Sequence, residues 1–181
     1  MKSTSEAIAR FDLPAAPATF RSVVWEAAFS PRGLKRLSFA ANPGETRGVE
    51  NPPLISQDDK RVKVLKRNLL DRFKGGRSEF NWDEFDLDGA GDFHRRVWRA
   101  MCDIPFGETA TYAEIAGEAG SPLAFRACGQ ACGANRIVIF IPCHRVVSAS
   151  GLGGFGYGLE WKKKFLAMET MRSTRLLKST S

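Results

Sequence analysis

The run Ile137-Val138-Ile139-Phe140-Ile141-Pro142-Cys143-His144-Arg145-Val146-Val147 decides how this chain is read. Its first five residues are apolar and mostly β-branched, which predicts a buried strand over Ile137 to Ile141. Pro142 has no backbone donor, so it ends that strand and pushes Cys143 into a turn. A thiol, an imidazole and a guanidinium then follow one another beside a rigid element. Thiolate is the nucleophilic form of cysteine, and a neighbouring base or cation favours it. A reactive residue so placed meets a substrate while its backbone stays fixed.

Working outward, the residues before this run predict helices. Phe93, Val97, Trp98 and Met101 recur at helical spacing until Ile104-Pro105-Phe106-Gly107 breaks the pattern. Thr111 caps a short helix carrying Tyr112, Ile115 and Ala116, and Gly120 ends it. Ser121 caps the next helix, with Pro122 at its first position, running through Arg126, Cys128, Gly129 and Cys132 to about Gly133. Two short helices joined by a tight glycine-containing turn make a helix-turn-helix pattern. After the run, a glycine-rich stretch from Gly151 to Gly158 leads into a last helix with Trp161, Phe165 and Met168 inward. That stretch lacks the strand before it and the Lys-Ser/Thr after it that a nucleotide-phosphate loop needs. Lys162 to Lys164 read as solvated charge with a general attraction for phosphate, and residues 171–181 as a flexible basic tail.

The first half reads differently. Residues 1–19 are rich in Ser, Ala and Pro and are expected to be flexible. Ser22 to Phe29 has strand character, Ser30-Pro31-Arg32-Gly33 is a turn, and Leu34 to Phe39 is the return strand of a hairpin. A polar loop covers Asn42 to Lys60. Val62, Leu65, Leu69 and Phe73 then predict a helix that Gly75-Gly76 stops. Phe80 to Leu87 reads as one more strand before a break at Asp88 to Gly91. The fold class is therefore α/β (α+β). A strand-rich α/β support domain over 1–91 precedes a mainly helical, winged-helix-like domain over 92–170 that bears the reactive cysteine.

Composition bounds the function. The chain has 181 residues, 43% of them hydrophobic, enough for a core. No run approaches the roughly 20 apolar residues of a membrane span. Met1 to Arg10 has no apolar core of a signal peptide, so the expected location is cytoplasmic. The net charge of +7 points to a polyanionic partner, usually nucleic acid. Of the four cysteines, Cys128 and Cys132 share a helix face, but a zinc site would need two more ligands and the chain has only His94 and His144 to offer. Cys102, Cys128 and Cys132 read as small buried thiols, and neither a metal nor a cofactor is expected.

Several ordered motifs then match a family. Phe106-Gly107-Glu108-Thr109, Thr111-Tyr112, Arg126-Ala127-Cys128-Gly129, Asn135, Ile141 to Val147, Gly153-Gly154-Phe155, Gly158-Leu159, Lys162 and Glu169 together resemble the O6-alkylguanine-DNA alkyltransferases, or methylated-DNA–protein-cysteine methyltransferases. The resemblance implies direct, single-turnover repair of double-stranded DNA containing O6-alkylguanine, with O4-alkylthymine as a further candidate. In it Cys143 is the nucleophile, His144 takes the thiol proton, Glu169 orients and charge-stabilises His144, and Asn135 braces the turn. Tyr112 donates to the departing guanine. Arg126 replaces the flipped base in the stack, with Ala127, Gly129 and Arg145 also at the DNA. The resemblance puts the second helix in the minor groove, so binding should be nearly sequence-independent and salt-sensitive.

Val146, Phe155, Gly156 and Tyr157 are then the expected substrate pocket. Tyr157 stands where the family commonly has a small residue and should narrow that pocket. Some members hold an N-terminal zinc ion whose ligands have no counterpart here. The family mostly acts as monomers. The competing readings are a non-enzymatic alkyl-lesion recognition protein, which would carry another residue in place of Cys143, and a cysteine hydrolase, for which adjacent Cys-His is poor geometry.

Overall fold

The computed structural model describes residues 6–40, 54–76 and 80–179, and of 174–179 the backbone alone. The chain divides into two compact units, Met1–Asp88 and Gly89–Ser181.

The first unit is built on an antiparallel sheet of order β1-β2-β3, with β1 at Ala7–Phe11, β2 at Val24–Ser30 and β3 at Gly33–Ala40. The hairpin falls where the turn residues put it, with Ser30 opposite Gly33. Strand β1 corrects the expectation of flexibility for residues 6–19, while residues 1–5 lie outside the described residues. Ile8, Phe11, Leu13 and Ala16 are buried, because these few apolar residues find a sheet edge that overall composition does not reveal. Helix α1, Lys60–Phe73, starts where the Asp59 side chain accepts from the Arg61 amide at 2.8 Å. It buries Val62, Leu65, Leu69 and Phe73 at the expected spacing, and the Phe73 ring stacks 5.0 Å from Phe20. The expected strand over Phe80 to Leu87 is instead a 3-10 turn, Trp82–Glu84, plus a single bridge from Phe85 to Leu34. Glu84 reaches back to accept from the Asn81 amide at 2.7 Å, a local bond that competes with extension. Most of the expected loop over 42–60 lies outside the described residues.

The second unit is mainly helical. Helix α2, Asp92–Asp103, buries Val97, Trp98 and Met101, each contributing about 1.5–3 kcal/mol by burial. Trp98 Nε1 donates to the Ala131 carbonyl at 2.8 Å, tying α2 to a later helix. Strand β4, Ala110–Thr111, leads into helix α3, Tyr112–Glu118, where Thr111 and Glu114 cap one another. Gly120 ends the helix at φ +73°. Helix α4, Phe125–Gly133, begins later than expected. Residues Ser121 to Ala124 form a closed turn with the Ala124 amide on the Ser121 carbonyl at 2.8 Å, so Pro122 serves a turn rather than a helix start. The expected strand Ile137 to Ile141 is also corrected. The chain doubles back there, the Ile141 amide bonds the Ile137 carbonyl at 3.0 Å, and Ile139 sits at φ +75°. All five side chains are buried, so the β-branched run records burial, not extension.

Strand β5, Val146–Val147, pairs in parallel with β4, placing the reactive turn beside the start of α3. Helix α5 spans Leu159–Ser179, so the backbone expected to be a flexible tail from Met171 is helical, in keeping with its Met, Arg, Leu and Lys content. Among the described residues no helix is long and apolar enough to cross a membrane.

Candidate active site

Cys143 opens a 3-10 turn, Cys143–Arg145, held by the Cys143 amide on the Ile141 carbonyl at 2.9 Å and the Arg145 amide on the Pro142 carbonyl at 2.9 Å. Asn135 clamps this segment from outside. Its Nδ2 donates to the Ile141 carbonyl at 2.7 Å and lies 3.1 Å from Cys143 Sγ, while its Oδ1 accepts from the Ile137 amide at 2.9 Å. One amide side chain therefore fixes both ends of the doubled-back loop and touches the thiol. Burial pushes the Cys143 thiol above its usual range, opposed by the Asn135 hydrogen bond and the charge of Lys162. At neutral pH the resting group is the thiol, and a base is needed to make it a nucleophile.

Behind Cys143 lies a buried ionic cluster. His144 Nε2 is 2.8 Å from Glu169 Oε1, and the His144 side chain is 2% exposed. Arg145 meets the same carboxylate with two parallel bonds, Nε to Oε2 at 2.9 Å and Nη2 to Oε1 at 3.0 Å. Its Nη1 donates to the Ile104 carbonyl at 2.7 Å, and its guanidinium lies over the Phe106 ring. The Gly107 amide adds a fourth donor to Glu169 at 3.1 Å. Gly107 sits at φ +83°, and a Cβ there would come within 2.8 Å of Ser173 Cβ, so only glycine brings this amide to the carboxylate. Burial alone would raise the Glu169 carboxyl, but its bonds with His144 and Arg145 hold it at about 2. It is ionised at neutral pH, so His144 Nε2 donates the proton of their bond.

In front of Cys143 is a cavity of about 120 Å³. Tyr112 from α3 and Gly129, Cys132 and Gly133 from α4 form one wall; Gly154, Phe155 and Gly156 form the other. The Gly154 amide donates to the Tyr112 hydroxyl at 3.2 Å, leaving the phenolic proton available to a third group. Burial raises the Tyr112 phenol further from ionisation. Gly153, at φ +66°, passes so close to Tyr112 that a Cβ would lie 2.8 Å from its hydroxyl oxygen.

The structure sorts the expected residues. Cys143, His144, Asn135, Glu169 and Tyr112 are brought together, and Phe155 and Gly156 line the cavity. Val146 and Tyr157 do not line it: Val146 is fully buried in β5, and the Tyr157 ring packs 5.7 Å from Phe155. Arg126 is exposed near the start of α4, with Ala127 half-buried and Gly129 at the cavity. Arg145 is corrected: expected at the DNA, it is 3% exposed and spent on Glu169, because a buried carboxylate demands a fully committed cation. Lys162, read as solvated charge, is fully buried, and its Nζ donates to the carbonyls of Val146 and Gly154, the latter at 3.0 Å. It thereby ties the cavity wall to the reactive turn. Lys162 shares a helical phase with Phe165 and Glu169, and that spacing is the signal that would have found it. Among the described residues no three metal-ligating side chains converge.

The chain has relatives of known family. Residues 92–171 match the family described as 6-O-methylguanine DNA methyltransferase, DNA binding domain. A methylated-DNA–protein-cysteine methyltransferase from Mycolicibacterium paratuberculosis is 52% identical over 141 residues, 77% of this chain and 80% of the relative. The crystal structure of the O6-methylguanine methyltransferase of Mycobacterium tuberculosis superposes with a TM-score of 0.71 at 33% identity, covering 92% of this chain and 94% of that one. The same bacterium's protein in complex with DNA gives 0.68 at 35% identity over the same shares. The chain belongs to the methylated-DNA–protein-cysteine methyltransferase family.

Proposed function

We propose that this chain repairs double-stranded DNA by taking the alkyl group of a flipped O6-alkylguanine onto Cys143, once per molecule, acting as a monomer in the cytoplasm. His144 Nδ1 takes the thiol proton. The sulfur attacks the alkyl carbon, the bond from that carbon to O6 breaks, and the Tyr112 hydroxyl donates to the guanine as negative charge develops. The products are guanine and a Cys143 thioether. Nothing in the step regenerates the thiol, which makes the transfer stoichiometric. Arg126 fills the gap left in the stack. O4-alkylthymine is a second candidate substrate of the same chemistry.

The observation that carries this reading is the Cys143 thiol, 3.1 Å from Asn135 Nδ2, at a small cavity and beside the buried His144–Glu169–Arg145 cluster. A cavity of about 120 Å³ is well below the ~300 Å³ floor of drug-sized sites, which suits a single flat base with a small substituent. A lesion-recognition protein without chemistry would carry another residue at this position, so Cys143 itself favours transfer. The test is intact-protein mass after incubation with duplex DNA carrying one O6-methylguanine. A gain of about 14 Da, mapped to the Cys143 peptide and stopping at one per molecule, is expected. Lesion-selective binding without a mass change would give the site to recognition instead.

A further inference from the structure

The corner between α3 and α4 holds two large apolar side chains in water. Leu123 is 91% exposed and Phe125 49% exposed. Among the described residues the other exposed large hydrophobics, Leu54, Leu159 and Met171, stand singly, whereas these two lie within three positions, next to the exposed Arg126. The corner that presents them is rigid. The Ser121 amide bonds the Ala116 carbonyl, the Ala124 amide bonds the Ser121 carbonyl, and the Cys128 amide bonds the Ala124 carbonyl, each at 2.8 Å. The backbone that displays both side chains is therefore already ordered.

Helical spacing says what they face. Phe125, Gly129, Cys132 and Gly133 lie at i, i+4, i+7 and i+8, one stripe of α4, and the last three line the cavity that ends at Cys143. Phe125 thus stands one turn, about 6 Å, before the cavity mouth. The glycines of that stripe let another backbone approach closely. A phenylalanine on the same stripe would hold a docked duplex away unless its ring had somewhere to go. In a duplex that place is between base steps, where an apolar ring unstacks neighbours and opens the groove.

We infer that Phe125, with Leu123 beside it, is an apolar wedge that enters the base stack of double-stranded DNA next to the base delivered to Cys143. This rests on the proposed reading of α4 as the DNA-facing helix. The partner is a duplex rather than a protein because Arg126 adjoins the wedge and the chain carries +7. Arg126 then occupies the vacated position while Phe125 props the adjoining step, so two residues share the cost of flipping.

The test uses an undamaged duplex with 2-aminopurine as the reporter base, whose fluorescence rises on unstacking. The protein should raise the signal on saturating binding. Phe125→Ala, followed by anisotropy, should bind the same duplex but lose the rise by about fivefold or more, and Phe125→Leu should keep most of it. An unchanged signal in Phe125→Ala, no rise with the unaltered protein, or a change in self-association instead would overturn the wedge. Alkyl transfer is scored in parallel by mass. A chain that methylates Cys143 with a signal indifferent to Phe125 loses the wedge and keeps its proposed function. A chain that unstacks DNA through Phe125 without gaining mass keeps the wedge and loses alkyl transfer.

Discussion

Two glutamates, one in each unit, are buried to the same degree and do different work. Glu26 on β2 is 4% exposed and meets Arg10 at 2.9 Å and Arg36 at 3.0 Å, but the side chains of those arginines are 46% and 25% exposed. Glu169 on α5 is 3% exposed, and its partners His144 and Arg145 are buried with it. The first pair of cations can turn to water if the carboxylate is lost. The second cannot, so its charge balance is structural and every member is needed. Burial of the carboxylate is common to both; burial of the partners marks the reactive unit.

The largest effect should come from Cys143→Ala, which separates chemistry from that balance. Transfer by mass should vanish, while duplex binding and the urea midpoint stay near those of the unaltered protein. Next, Glu169→Gln leaves the Arg145 guanidinium buried without a counter-charge. It should cost about 3–5 kcal/mol in urea unfolding and slow transfer in whatever fraction folds. Acid should reach the same carboxylate without mutation. Its folded value, about 2, lies below its ordinary 4.5. The stability it contributes is therefore full above 4.5 and is lost as the pH falls from there towards 2, by about 3 kcal/mol more than in Glu169→Gln. Lys162→Met strands two carbonyls behind the cavity and should lower stability by about 1–3 kcal/mol, with a slower transfer from a loosened wall, read by melting and by single-turnover rate. The smallest change belongs to Glu26→Gln, about 1 kcal/mol or less, because its arginines rehydrate. A loss there as large as in Glu169→Gln would erase the contrast.

The sequence carried the reactive turn openly, since Cys143, His144 and Arg145 are adjacent and Pro142 marks the break. The hairpin, α1 and α2 were legible from turn residues and period. What period could not tell was whether an apolar run is extended. Ile137 to Ile141 has strand composition, yet its backbone doubles back under the clamp of Asn135, a contact set by the packed unit. Ser121-Pro122 carries the local chemistry of a helix start and serves a turn, because the hydrogen bonds that close the corner come from Ala116 and Ser121 carbonyls. Glu169 entered only through resemblance, as a lone carboxylate on a helix has no local sign of a partner 24 residues away in the chain. Arg145 and Lys162 misled because a cation looks solvated until the groups that bury it are placed.

The position of Glu169 also sets an order in time. A chain is made from its N-terminal side onward, and domains form as they emerge. Cys143, His144 and Arg145 leave the ribosome before α5 does. Until that helix packs, His144 lacks its carboxylate, Arg145 its counter-charge and the cavity wall the tie from Lys162. A nascent or trimmed chain ending short of Glu169 carries the thiol without its surroundings, so the molecule is armed only when α5 packs.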